Sequence, residues 1–135
     1  MPRTRFPAQF EYLDEVRTRV AEEARAAGFG DKAIYAIQLA ADEAASNIIE
    51  HAYAGRTDAS FEMSCEVDRD RLIVTFYDQG ISFDISKVSK PDVKADLSER
   101  KIGGLGIYLM HKLMDEVRYK STGSENILTL TKRKE

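Results

Sequence analysis

Apolar residues recur at helical spacing through Phe10, Leu13, Val16, Val20 and Ala24 among acids and arginines. This predicts an amphipathic helix over about 9 to 27, with Gly28 as its C-terminal stop. A second stripe follows in Ile34, Ile37, Ala41, Ala44, Ala45, Ile48 and Ala52. It predicts a helix over about 32 to 54, with Asp31 as N-cap and Gly55 at its end. The period then changes. Ser60 to Val67 and Arg71 to Tyr77 are rich in β-branched and aromatic residues and are joined by Asp68-Arg69-Asp70, the pattern of a hairpin. Beyond Asp78-Gln79-Gly80 the polar stretch from Asp84 to Ile102 lacks periodicity and predicts a functional loop or lid. Gly103-Gly104-Leu105-Gly106 opens a third helix through Ile107, Leu109, Met110, Leu113 and Met114. A closing hairpin joins Glu116–Ser121 to Asn126–Lys132 through Thr122-Gly123-Ser124-Glu125. The order α, α, β, β, loop, α, β, β, with no internal repeat, implies an α+β two-layer sandwich rather than alternating β-α-β units.

Composition narrows this to one folding unit over residues 1–135. A chain of 135 residues that is 43% hydrophobic has material for one two-layer core but not for two domains. A formal charge of −3 argues against direct binding to nucleic acid or anionic membrane, which clustered positive charge normally drives. Cys65 is the single cysteine and cannot close an intramolecular disulfide. No run approaches the length of a membrane span, and the N-terminus leads into a polar amphipathic stretch. The expectation is a cytoplasmic protein.

Three constellations carry candidate chemistry. Glu43, Asn47 and His51 stand four apart on the second helix and so share one face, roughly opposite the apolar stripe. An ordinary polar helix face has the same spacing, so the pattern alone does not decide. Asp78-Gln79-Gly80 closes a strongly apolar strand. A carboxylate there can accept a hydrogen bond from an exocyclic amine, while the missing side chain of Gly80 lets a flat ring approach the backbone; a plain turn is the other reading. Gly103-Gly104-Leu105-Gly106 stands between a basic loop and a helix start, where free N–H groups and the helix dipole favour phosphate; a flexible hinge would look alike. No Gly-Lys-Ser/Thr follows, so this is not a Walker A loop, and no parallel strand precedes it as a dinucleotide fingerprint requires.

It is the joint order that is specific. Glu43-x-x-x-Asn47-x-x-x-His51, then Asp78-x-Gly80-x-x-Phe83-Asp84, then Gly103-Gly104-Leu105-Gly106 resemble the N, G1 and G2 boxes of the GHKL superfamily of gyrase-like and histidine-kinase-like ATPases. Within it, Ala41-Asp42-Glu43-Ala44-Ala45-Ser46-Asn47, His51-Ala52-Tyr53 and Gly104-Leu105-Gly106-Ile107-Tyr108-Leu109-Met110 resemble the serine kinases that act as bacterial anti-sigma factors. The resemblance covers nearly the whole chain and implies a mixed, mostly antiparallel sheet with helices on one face.

It also implies roles for single residues. Asn47 would hold Mg²⁺ beside the phosphates of ATP, and Glu43 would be the general base for the attacking hydroxyl. His51 falls in the same nucleotide-binding box. Asp78 would bind the adenine amine with Gly80 beneath the ring; Gly104, Leu105 and Gly106 would contact the phosphates under the lid, with Lys101 or Arg100 reaching the γ-phosphate. Two positions depart from the wider pattern: Ser82 stands at the second glycine of the G1 box, and Glu125-Asn126 replaces the usual Gly-Thr before the last strand. The implied activity is an ATP-dependent serine/threonine-protein kinase that phosphorylates an anti-sigma-factor antagonist and, in its other state, sequesters a sigma factor, as a homodimer. A non-catalytic, ATP-responsive binding module in a partner-switching network is the alternative. The ATPase half of a histidine kinase fits less well, because His51 and His111, the only histidines, both fall within the ATP-binding pattern.

Overall fold

A computed structural model describes residues 2–54, 56, 58–82 and 104–134, with residues 104–107 described by their backbone alone. The stretch 83–103, which holds Phe83, the lid and the expected contacts Arg100 and Lys101, lies outside the described residues, as does Gly55.

The first helix, α1, runs over Leu13–Ala26 and buries Val16, Val20, Ala21 and Ala24. A single 3-10 turn, Phe10–Tyr12, takes the place of its expected first turn, and Phe10 is consequently 51% exposed rather than part of the apolar stripe. At the other end the stop is as expected. Gly28 takes φ +90°; its N–H bonds to Arg25 O at 3.0 Å and that of Phe29 to Ala24 O at 3.0 Å, the two bonds of a Schellman cap. Buried Phe29 and Ala24 add the apolar contact that accompanies such caps.

The second helix, α2, spans Asp31–Asn47. Gly30, in an extended conformation, is its N-cap. Asp31 is thus the first helical residue and acts on the helix dipole instead of capping by a side-chain bond. The expected continuation to about residue 54 changes character after Asn47. Ile48–Ala52 form a π-helical turn, closed by Tyr53 N–H on Ile48 O at 3.0 Å, and Ala54 then leaves with φ +51°. Tight packing of α2 is possible because Ala40, Ala41, Ala44 and Ala45 are all buried and small. Arg17 of α1 fastens it further by reaching Asp14 and Asp42, and Gln38 Nε2 donates to Arg17 O at 3.1 Å.

Among the described residues the sheet has five strands. β1 (Thr4–Pro7), β2 (Ser60–Asp68), β3 (Arg71–Asp78), β4 (Glu116–Ser121) and β5 (Asn126–Arg133) lie in the order β1-β2-β3-β5-β4, every pairing antiparallel. Both hairpins stand where the alternation put them. β1 did not show in the pattern, because four residues with one buried side chain, Phe6, carry too little periodicity; its pairing with β2 makes it a strand. Strand alternation puts Phe6, Phe61, Met63, Val74, Phe76 and Leu130 on one face, where the Phe6 and Phe61 rings stack at 5.6 Å, and these close one core with the helices. The third helix, α3 (Gly104–Leu113), packs against α2 and buries Met110.

Candidate functional site

Glu43 and Asn47 stand one turn apart on α2, as the spacing requires. Asn47 is only 8% exposed, and its Nδ2 is fully buried with no hydrogen-bond partner among the described residues. Such an orphan donor costs roughly 1–3 kcal/mol and calls for an explanation, of which a bound group is one. Glu43 is half-buried. Burial, then the neighbouring charges of Asp42 and Glu50, raise its carboxyl above the ordinary value of 4.5. Asp42 is engaged by Arg17 on the α1 side, whereas among the described residues no bond ties Glu43. His51 follows one turn further on. It lies in the π-helical turn Ile48–Ala52, and its Nε2 lies 3.4 Å from Glu50 Oε2.

The end of that same turn holds the second constellation. Ala52 O accepts the N–H of Ile81 at 2.7 Å, and a Cβ on Gly80 would lie 2.3 Å from Ala52 O. Gly80 is therefore required by the backbone that closes α2, because a Cβ there would collide with Ala52. Tyr53, the next residue, donates its hydroxyl to Ser60 O at 2.7 Å and accepts Gln79 N–H at 2.9 Å. Glycine and phenol together weld the Asp78-Gln79-Gly80 turn to the helix that carries Glu43 and Asn47. Asp78 is 7% exposed, and its Oδ1 accepts Gly80 N–H at 2.9 Å and Asn126 Nδ2 at 2.8 Å. Burial raises its carboxyl above the ordinary 3.8, the bonds from Asn126 and Gly80 pull it back, and Glu125 pushes it up.

Neither Tyr53 nor Asn126 was singled out as a site residue from sequence. Tyr53 had a signal in its place beside His51-Ala52, and Asn126 in its departure from Gly-Thr; only the fold shows what each touches. The Gly104-Leu105-Gly106 segment is the first turn of α3, whose leading N–H groups have no partner within the helix. Lys101 lies outside the described residues. A polar groove of about 190 Å³ borders the Asp78 turn, lined by Arg5, Tyr53, Glu62, Tyr77 and Gln79 among others. Glu62 and Tyr77 lie on the sheet face away from the core that α2 covers.

The residues present suit a magnesium nucleotide. Asn47 brings a hard oxygen and a donor unpartnered among the described residues, Asp78 keeps Oδ2 as an acceptor, and the leading N–H groups of α3 have no partner within the helix. Among the described residues no group of three His, Cys, Asp or Glu could hold an ion, so a metal at Asn47 would need oxygens from its ligand.

The comparisons agree with this geometry. Residues 6–132 match the family model described as "Histidine kinase-like ATPase domain". The chain is 34% identical over 128 residues to "Serine-protein kinase RsbW" of Listeria monocytogenes, covering 91% of this chain and 82% of the relative. It is 36% identical over 122 residues to the protein of the same name in Bacillus subtilis, covering 85% and 74%. Among solved structures, the RsbU and RsbW domains of a Mycobacterium tuberculosis protein superpose with TM-score 0.61 at 20% identity, covering 98% of this chain and 32% of that one. The catalytic domain of histidine kinase ThkA gives 0.60 at 15% identity, covering 99% and 97%. At these identities the two structures speak for the fold, and the sequence matches speak for the branch. The chain belongs to the histidine kinase-like ATPase family, among the relatives of the RsbW serine-protein kinases.

Proposed function

We infer that this chain is an ATP-dependent serine/threonine-protein kinase acting as an anti-sigma regulatory factor in a partner switch: it phosphorylates an anti-sigma-factor antagonist and, in its other state, sequesters a sigma factor. The observation that carries the reading is the joining of Glu43 and Asn47 to the Asp78 turn through Ala52 and Tyr53, in a chain 34% identical to a serine-protein kinase.

Bound ATP, with Mg²⁺, supplies the transferable phosphoryl group and the charge that neutralises it. Asn47 offers its side-chain oxygen to the metal and its buried Nδ2 to the phosphates. The first turn of α3 supplies backbone N–H groups at Gly104, Leu105 and Gly106, and Lys101 is assigned a γ-phosphate contact. Asp78 accepts the base amine through Oδ2. Glu43 would take the proton that a partner's serine hydroxyl loses as its oxygen bonds to the γ-phosphorus, the bond from that phosphorus to the bridging oxygen breaks and ADP leaves; its raised proton affinity, from burial and acidic neighbours, brings it nearer the neutral range where a general base works best. His51, turned toward Glu50, is assigned to the wall of the same site. No described helix is long and apolar enough to cross a membrane. We assign the protein to the cytoplasm, as a homodimer that contacts neither nucleic acid nor membrane.

Calorimetric titration of wild-type and Asp78→Asn protein with ATP, with and without Mg²⁺, tests the site, and transfer of labelled phosphate from ATP to a serine-bearing antagonist tests the activity. Mg²⁺-dependent binding that collapses in Asp78→Asn, with phosphoserine formed, is the expected result. Binding without transfer would leave a nucleotide-responsive module, and no binding would remove the reading.

A further inference from the structure

Asn126 begins β5 directly opposite Asp78, the last residue of β3, and is 3% exposed. A buried amide is costly unless its groups are bonded, and an apolar side chain would fill the place at less cost. Here the amide nitrogen is fully used. Nδ2 donates to Asp78 Oδ1 at 2.8 Å and to Gly80 O at 2.9 Å, engaging both its hydrogens on the two residues that shape the turn. Oδ1 of Asp78 also accepts Gly80 N–H at 2.9 Å, so it is saturated, while among the described residues nothing bonds Oδ2. Rotating the carboxylate would break both bonds at Oδ1.

We propose that Asn126 is the positioning residue that sets base selectivity: by tying Asp78 Oδ1 to the Gly80 carbonyl through one amide, it aims Oδ2 as a fixed acceptor at an exocyclic amine. The inference rests on the nucleotide reading above and adds to it the residue that enforces discrimination. An ionised carboxylate oxygen only accepts hydrogen bonds. It therefore pairs with the amino group of adenine and repels the keto oxygen that guanine presents at the same position. Discrimination of this kind needs an oxygen that neither turns nor takes up a proton. Asn126 serves both needs, since its bond favours the charged form of Asp78 against burial and against Glu125. Arg3, paired with Glu125 at 2.9 Å, moderates that last charge.

The test measures ATP and GTP affinity, with Mg²⁺, for wild type, Asp78→Asn, Asn126→Leu and Asn126→Asp, each checked first for a cooperative melt. Wild type should prefer ATP, and Asp78→Asn should lose that preference. The two Asn126 variants should lose at least tenfold in ATP affinity while GTP affinity changes little, so that the ratio collapses. A merely structural role would lower both nucleotides together, and an ATP/GTP ratio equal to wild type in a folded Asn126 variant overturns the proposal while leaving the nucleotide site standing. A wild-type protein that binds neither nucleotide removes the nucleotide reading and this inference with it, and one that binds both but is indifferent to the base and to Asp78→Asn overturns this inference alone. Should neither Asn126 variant fold, the side-chain amide resonances of Asn126 in the wild type decide. A shift on adding ATP but not tripolyphosphate supports the role, and an unchanged signal overturns it.

Discussion

The carbonyl oxygen of Ala52 accepts the N–H of Ile81 at 2.7 Å and lies 2.3 Å from where a Cβ on Gly80 would stand. A methyl group cannot share that space with a backbone oxygen, and neither side can yield without opening the π-helical turn or the strand end. Gly80→Ala should therefore destabilise the fold by about 1–3 kcal/mol, the usual range for overpacking, and weaken ATP binding with it. Urea unfolding and calorimetry on one preparation check both; a variant of wild-type stability would mean that the contact relaxes freely.

Asn47 presents the opposite case. Its buried Nδ2 has no partner among the described residues, so the unliganded protein bears a cost of about 1–3 kcal/mol that an apolar residue of similar shape avoids. Asn47→Leu should be at least as stable as wild type without nucleotide, yet lose the Mg²⁺-dependent part of ATP binding. Urea midpoints in the absence of nucleotide, set beside titrations with and without Mg²⁺, separate the two effects. A marked loss of stability would show that Asn47 serves the fold rather than a ligand.

Glu43 carries the pH dependence. Its folded-state proton affinity is raised, so between the ordinary and the raised value the native state holds more protons than the unfolded one, and stability falls as pH rises through that window. Glu43→Gln should thus melt higher than wild type at neutral pH, with the difference fading below the ordinary value of 4.5. Phosphoryl transfer should fall by roughly 10²–10⁴-fold in Glu43→Gln, the span general-base catalysis contributes, while ATP affinity stays near wild type. In the wild type the rate should decline on the acid side, with its inflection above 4.5. Unchanged transfer in Glu43→Gln would remove Glu43 as the base.

Tyr53 links three elements through one hydroxyl. Tyr53→Phe keeps the ring but strands Ser60 O and Gln79 N–H, at a cost of about 1–3 kcal/mol. Amide hydrogen exchange at Gln79 should accelerate, and ATP affinity should fall because the Asp78 turn loses a tether. Exchange at Gln79 equal to wild type would show that water replaces the phenol without loss.

Much of this was legible in the residues themselves. The helical stripe through Val16, Val20 and Ala24, the second through Ile34 to Ala45, the two hairpins and the Gly28 stop all follow from periodicity and backbone chemistry, which are local properties. So does the i,i+4 relation of Glu43 and Asn47. Beyond Asn47 the same reasoning loses its grip. Spacing assumes a regular helix, and the π-helical turn at Ile48–Ala52 departs from that regular count. β1 required β2 to exist first, and Asp31 yielded the cap to Gly30.

The chain alone thus determined the three helices, the two hairpins, their order, the core faces and the kinase resemblance, since each depends on residues close in sequence or on a motif order written along it. Tertiary structure decided why Gly80 must be glycine, that Tyr53 tethers the Asp78 turn, and that Asn126, 48 residues from Asp78, occupies one of its oxygens. Those are contacts between side chains and backbone groups distant along the chain. Their energies arise only when strand register and helix packing bring the partners within hydrogen-bond reach, and no pattern of neighbours in the sequence encodes that distance.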